Sequence, residues 1–312
     1  MSRVHDALKK AEQEKAMAGD ADSSVERKLP AEEDRRYLET TRLASRVRLD
    51  EGAESRFRQD ELAAEAFLDR CSRREWTAEA PPSPSPDTRR QTLVFEEFRS
   101  LRSRLYLMRK VRPLQKLVVT SPLPREGKTF VTSNLARVMA KQADSRVLVV
   151  DGDLRMCTLH ATLGAPAGPG LTEYLAGGLE LASIIQRGPT DNLFFIPGGD
   201  TTPNPTELIS NGRLELLLKR VAPIFDWIII DSPPVVPVSD AKLLAGLCDG
   251  VMMLVNAGTT PFDLAQKACG EFSREQILGV ILNRVYHTHT YGSYYHYSER
   301  YYHRGDDKGA TA

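Results

Sequence analysis

Six short runs of β-branched and aliphatic residues are spaced between residues 116 and 283: Lys116–Ser121, Arg146–Asp151, Leu193–Pro197, Trp227–Asp231, Gly250–Asn256 and Ile277–Asn283. Most are apolar throughout instead of alternating, the pattern of strands whose two faces are both covered, as in a parallel sheet. Helical segments fall between them, and strand–helix alternation of this kind predicts a doubly wound α/β domain. Ahead of the first run, Val94, Phe98, Leu101, Leu105 and Met108 recur at spacings of four and three. That periodicity predicts an amphipathic helix over this stretch.

Outside these runs the texture changes. Residues before about 90 are dense in Arg, Glu and Asp, and residues 18–60 have the composition of a disordered segment. Two helices are expected there, one carrying Val4, Ala7, Leu8 and Ala11 on one stripe and one around Leu62, Ala66 and Phe67. Ala80-Pro81-Pro82-Ser83-Pro84-Ser85-Pro86 reads as an extended linker. Seven of the ten tyrosines lie in the last 27 residues, where Leu, Ile and Val are absent, so that segment builds no core and reads as a tail. The expected organisation is an extension (1–90), an α/β domain (91–285) and a tyrosine-rich tail (286–312). Deletion of residues 1–80 is expected to leave nucleotide binding unchanged.

Charge and cysteines exclude some functions. With 42 basic and 42 acidic residues the net charge is zero, which removes a global pull toward nucleic acid. Cys71, Cys157, Cys248 and Cys269 form no CxxC pair, which argues against a zinc site or disulfide framework and suits a reducing compartment. The opening residues lack the apolar core of a signal peptide. No run approaches the roughly 20 apolar residues of a membrane-spanning helix. A cytoplasmic protein is expected.

The first chemical motif is Ser121-Pro122-Leu123-Pro124-Arg125-Glu126-Gly127-Lys128-Thr129, set between a strand and a helical run. In that position a loop can turn backbone N–H groups and a helix N-terminus onto phosphate oxygens. Glu126, Gly127, Lys128, Thr129 and Phe130 are therefore candidates for nucleotide contact. Lys128 would reach the β- and γ-phosphates, and the Thr129 hydroxyl would bind Mg²⁺. Pro122 stands where the usual motif has its first glycine. Two strand ends supply carboxylates: Asp151 and Asp153 in Asp151-Gly152-Asp153, and Asp231 before Ser232-Pro233-Pro234. Ligands of doubly wound sheets bind at the carboxyl ends of strands, so these acids are expected to face the loop. Thr129, Asp153 and Asp231 are the candidate Mg²⁺ donors. Asp151 and Asp153, together at one strand end, are the candidates for a base should the site transfer a phosphoryl group to a weakly acidic hydroxyl. Asn283, after the last strand, is open to two readings, an adenine contact or a strand cap.

This combination resembles the bacterial tyrosine kinases of capsule and exopolysaccharide assembly. In that family the Asp151–Arg155 stretch matches the motif called Walker A′ and the Asp231 strand end matches Walker B. The resemblance extends to Glu96-Glu97-Phe98-Arg99-Ser100-Leu101-Arg102, Pro203 to Leu208, Asp231 to Asp240 and the tyrosine tail, and covers about residues 93–302. It implies ATP and Mg²⁺ as cofactors, with Lys128, Asp151, Asp153 and Asp231 as catalytic residues and Arg155 near the nucleotide. It further implies autophosphorylation at Tyr291, Tyr294, Tyr295, Tyr297, Tyr301 and Tyr302, and a homo-oligomeric ring contact through Glu96, Arg99 and Arg102. The implied partners are a membrane-embedded polysaccharide co-polymerase, which would hold the chain at the membrane, and a cognate phosphatase. Arg125 departs from the family, which often has glycine there. Partitioning-type ATPases share this fold but carry a lysine at the position of Leu123 and lack the tail. A nucleotide-responsive scaffold is the other alternative.

Overall fold

A computed structural model describes residues 61–77, 88–143 and 145–285, with residues 88–93 defined by backbone alone. The expected Val4–Ala11 helix, the proline-rich linker and the tyrosine tail lie outside the described residues.

Among the described residues, eight strands form one sheet in the order β1 (Ser72–Arg73), β4 (Gln186–Arg187), β5, β3, β6, β2, β7, β8. The six expected strands are β2 (Lys116–Thr120), β3 (Val147–Asp151), β5 (Leu193–Ile196), β6 (Trp227–Asp231), β7 (Gly250–Asn256) and β8 (Ile277–Asn283). Three ends are one residue shorter than expected. The Arg146 N–H is taken by the Asp226 carboxylate at 2.8 Å, Pro197 has no N–H to donate, and Ser121 turns its hydroxyl onto the Leu123 carbonyl. All pairings are parallel except β4 (Gln186–Arg187) with β5.

Apolar runs without alternation arise because both faces are covered. In β6, Ile228 and Ile230 enter one core while Trp227 and Ile229 enter the other. In β7, Val251 and Met253 divide from Met252 and Leu254 in the same way. Each such side chain is worth roughly 1.5–3 kcal/mol on burial. One layer consists of α3 (Lys128–Ala140) against the sheet, with α2 (Thr88–Val111) outside it. Phe98 and Leu105 of the expected stripe are buried, and Val94, Leu101 and Met108 pack against the same core. The opposite face carries, among others, α4 (Arg213–Val221), whose Leu214, Leu217, Leu218 and Val221 are buried at helical spacing, and α5 (Asp240–Gly246).

Residues 61–77, assigned from composition to the charged extension, belong to this same sheet and core. A helix over 61–69 (α1) leads into β1 (Ser72–Arg73), which pairs parallel with β4. Leu68 and Cys71 are buried in the main core, and Trp76 meets Phe195 edge-on at 6.0 Å. Two-residue strands carry no periodicity, so neither β1 nor β4 leaves a sequence signal.

Candidate active site

The sheet order sets β3, β6 and β2 side by side, so their C-terminal ends share one rim. Asp151 and Asp231 are Cα partners across β3 and β6. The approach of the two strands is close: the Gly152 N–H donates to the Asp231 carbonyl at 2.8 Å, and a Cβ at Gly152 would lie 2.7 Å from that oxygen. Glycine between the two aspartates is thus required by the packing.

The loop from β2 to α3 faces this rim. Gly127 has φ +99° and caps α3 without a side-chain hydrogen bond, so the first-turn N–H groups have no capping partner. With the macrodipole behind them, these amides suit an anion. Arg125 also adopts a left-handed φ of +64°, a backbone setting that glycine takes at no steric cost and arginine does not. Lys128 is buried, and its ammonium lowers the pKa values of both Asp153 and Asp231 against the effect of burial.

The three aspartates have different surroundings. Asp231 is enclosed, accepting from Thr129 Oγ1 at 2.7 Å and from Thr132 Oγ1 at 3.2 Å. Burial pushes its pKa up to about 6, with the Thr129 hydroxyl and Lys128 pulling the other way. Asp151 is fully buried, and its two oxygens take the N–H groups of Asp153 (3.2 Å) and Leu159 (3.0 Å). Burial first, and then the Asp231 charge, raise its pKa well above the carboxylate range. Asp153 is half-buried; desolvation raises its pKa, opposed chiefly by Lys128. Among the described residues no group of three or more His, Cys, Asp or Glu could hold a metal by itself. The hard oxygen donors present (Thr129, Asp231, Asp153) fit Mg²⁺, which takes one or two carboxylates and completes its shell with phosphate and water oxygens.

Other expected contacts lie elsewhere than first drawn. Glu126 is buried with its carboxylate turned into the protein, accepting from the Thr260 hydroxyl and from the Leu123 N–H at 3.4 Å. The half-buried Phe130 ring packs beside Phe98 against the core. Arg155 is bound to Asp240 by Nε at 2.7 Å and Nη2 at 3.2 Å, and to Thr206 at 3.1 Å. Those partners fall inside the two stretches, Pro203–Leu208 and Asp231–Asp240, that sequence reading had quoted without a role. Asn283 donates from Nδ2 to the Glu126 carbonyl at 2.8 Å and accepts the Arg284 N–H at 2.9 Å. Glu96 and Arg99 form an exposed ion pair on α2, whereas Arg102 reaches the Val138 carbonyl of α3 at 2.9 Å. Thr132 and Thr260 were missed; a threonine has no sequence signature until its acidic partner is known.

No family model matches the chain. It is 34% identical over 209 residues to the tyrosine-protein kinase CpsD of Streptococcus agalactiae, spanning 66% of this chain and 90% of that protein. Among solved structures it is similar to the chimerical protein CapA2B2, with a TM-score of 0.60 and 28% identity over 72% of this chain and 99% of that one. It is also similar to the kinase domain of the Escherichia coli tyrosine kinase ETK, with a TM-score of 0.56 and 31% identity over 64% and 80%.

Proposed function

The chain belongs to the bacterial tyrosine kinases, and from that premise we propose that it moves the γ-phosphoryl group of ATP onto tyrosines of its own residues 286–312. The observation that carries this reading is a buried lysine and an uncapped helix N-terminus facing three aspartates on one sheet rim. Phosphoryl transfer needs positioning and charge stabilisation more than covalent chemistry, and the rim offers both.

Thr129, Asp231 and Asp153 would hold the Mg²⁺ of a bound Mg²⁺-ATP, which would supply the phosphoryl group and positive charge to offset the phosphates. The chain's residues do the rest. Lys128 and the N–H groups from Gly127 onward hold the phosphates. Thr129 and Asp231, already hydrogen-bonded to each other, are the metal-side donors, and Asp153 stands across from them. Of the two candidate bases we assign Asp153, which would accept the proton from the tyrosine phenol oxygen. Asp151 is enclosed and spends both oxygens on backbone N–H groups, so its role is to hold the Asp153 loop. Arg155, clamped by Asp240 and Thr206, fixes the far side of that loop. On α2, the exposed Glu96–Arg99 pair is the proposed subunit contact, and Arg102 braces α2 against α3.

No described helix is long and apolar enough to cross a membrane. Attachment through a membrane-embedded polysaccharide co-polymerase, a role in capsule or exopolysaccharide export and reversal by a phosphatase complete the proposal. The test is mass spectrometry of the peptides after Arg284 once purified protein has met Mg²⁺-ATP, with Lys128→Met beside it. Phosphotyrosine at Tyr291, Tyr294, Tyr295, Tyr297, Tyr301 or Tyr302 in the wild type alone is the expected result. ATP hydrolysis with an unmodified tail would overturn it in favour of an ATPase.

A further inference from the structure

Glu126 is an unusual residue to bury beside a phosphate site. Its carboxylate has no cationic partner among the contacts it makes; it is met by a hydroxyl and one N–H, Thr260 on one oxygen and Leu123 on the other. Thr260 lies in the turn after β7, 134 residues away in sequence. Its own position is fixed by Asn256, which donates its N–H to Thr260 Oγ1 at 3.2 Å and accepts the Thr260 N–H at 3.1 Å. The threonine hydroxyl, already an acceptor for Asn256, has its single proton left for Glu126.

The main chain of Glu126 is held separately. Asn283 Nδ2 takes the Glu126 carbonyl, and the same asparagine's carbonyl receives the Ala257 N–H at 2.9 Å. Asn256 and Asn283 are partners in the β7–β8 register. One residue of the phosphate-binding loop is therefore gripped twice from the same corner of the sheet, by side chain through Thr260 and by backbone through Asn283. A trans peptide is planar, with its C=O and N–H pointing opposite ways. Capture of the Glu126 carbonyl therefore aims the Gly127 N–H away from Asn283. A Cβ on Gly127 would run into the Asn283 amide, so the clamp closes only on glycine.

We propose that Thr260 is a positioning residue of the phosphate-binding loop, acting through Glu126 to hold the loop's N–H groups on the phosphates without touching the nucleotide itself. The inference rests on the nucleotide reading of the site. It separates from a plain base-contact role, because a residue that shapes the loop affects any phosphate ligand, whereas one that touches adenine or ribose affects only a nucleoside.

Calorimetric binding of Mg²⁺-ADP and of Mg²⁺-pyrophosphate decides between them, with Thr260→Val and Thr260→Ser in the full chain and melting of each unliganded protein. Removing the hydroxyl leaves a buried carboxylate oxygen unpaired, and Thr260→Val is expected to weaken both ligands by the same factor, on the order of 10-fold. Thr260→Ser is expected to bind both ligands and to melt like the wild type. A loss confined to ADP, no loss with either ligand, or an equal loss in Thr260→Ser would each overturn the proposal. If Thr260→Val melts early, Glu126→Gln decides: weakened pyrophosphate binding supports the clamp, and unchanged binding overturns it. Wild-type protein that bound neither ligand would instead overturn the nucleotide reading, and the clamp with it.

Discussion

Asp231 carries a cost in the ligand-free protein that follows from its position. A displacement from 3.8 to about 6 corresponds to on the order of 3 kcal/mol. The folded state binds the Asp231 proton more tightly than the unfolded chain does. Its contribution to stability is therefore complete below about pH 4 and is lost as pH rises through about 6. Above pH 6 the carboxylate is charged, enclosed and ready for a cation. Autophosphorylation is expected to fall as pH is lowered through 6. Asp231→Asn is expected to abolish it while melting, ligand-free at pH 7.5, no lower than the wild type; a markedly lower melting temperature would contradict the burdened-anion account. The neighbouring pair separates in the same assay. Asp153→Asn is expected to reduce transfer by roughly 10²-fold or more with the fold intact. Asp151→Asn turns an amide nitrogen toward a backbone N–H and is expected to lose about 1–3 kcal/mol of stability. Lys128, Thr129 and the three aspartates were legible in the sequence because strand ends and helix starts announce themselves. Which aspartate is open and which is enclosed was not, since that depends on how closely β3 approaches β6 at Gly152.

Among the elements, the central strands were legible nearly to the residue because burial on both faces leaves an unmistakable apolar run. The packing of α2 was legible only in part. Its buried stripe follows from periodicity, but the three residues Glu96, Arg99 and Arg102, read as one charged face, divide in two. Arg102 caps a carbonyl near the C-terminal end of α3, one of the groups a helix leaves without an internal partner. Arg102→Met is expected to lower the melting temperature by roughly 2–6 °C, for a lost bond of about 1–1.5 kcal/mol. Glu96→Ala is expected to leave melting unchanged, since an exposed pair contributes at most about 1 kcal/mol, while reducing the oligomer seen by light scattering. Equal effects of the two changes on melting would remove the distinction. The Thr260–Glu126 contact lay beyond sequence reading for a topological reason: β7 neighbours β2 in the sheet although 129 residues separate Thr120 from Gly250.

For the molecule as a whole, the question is where the folded domain begins. Composition puts the boundary near residue 90, because Arg, Glu and Asp dominate up to that point. Yet α1 and β1 supply Leu68 and Cys71 to the main core, and the Thr77 N–H donates to the Gly164 carbonyl at 2.7 Å. Few apolar residues are enough for this, because the sheet edge at β4 already offers a covered apolar floor of Ile184, Ile185 and Phe194. Deleting residues 1–80 would therefore uncover that floor, a cost in stability that is separate from the expectation for nucleotide binding. Deleting 1–58 removes no residue of the described core. The shorter deletion is expected to melt with the full chain and to bind Mg²⁺-ADP equally well. The longer one loses the burial of Leu68 and Trp76 packing, about 2–4 kcal/mol, and is expected to melt roughly 5–15 °C lower. Its ADP affinity at low temperature should survive, because the phosphate-binding loop is built on β2 and gripped from β7 and β8, on the other side of β6 from the damaged edge. A longer deletion that melts with the full chain would show that residues 61–77 decorate the sheet without supporting it.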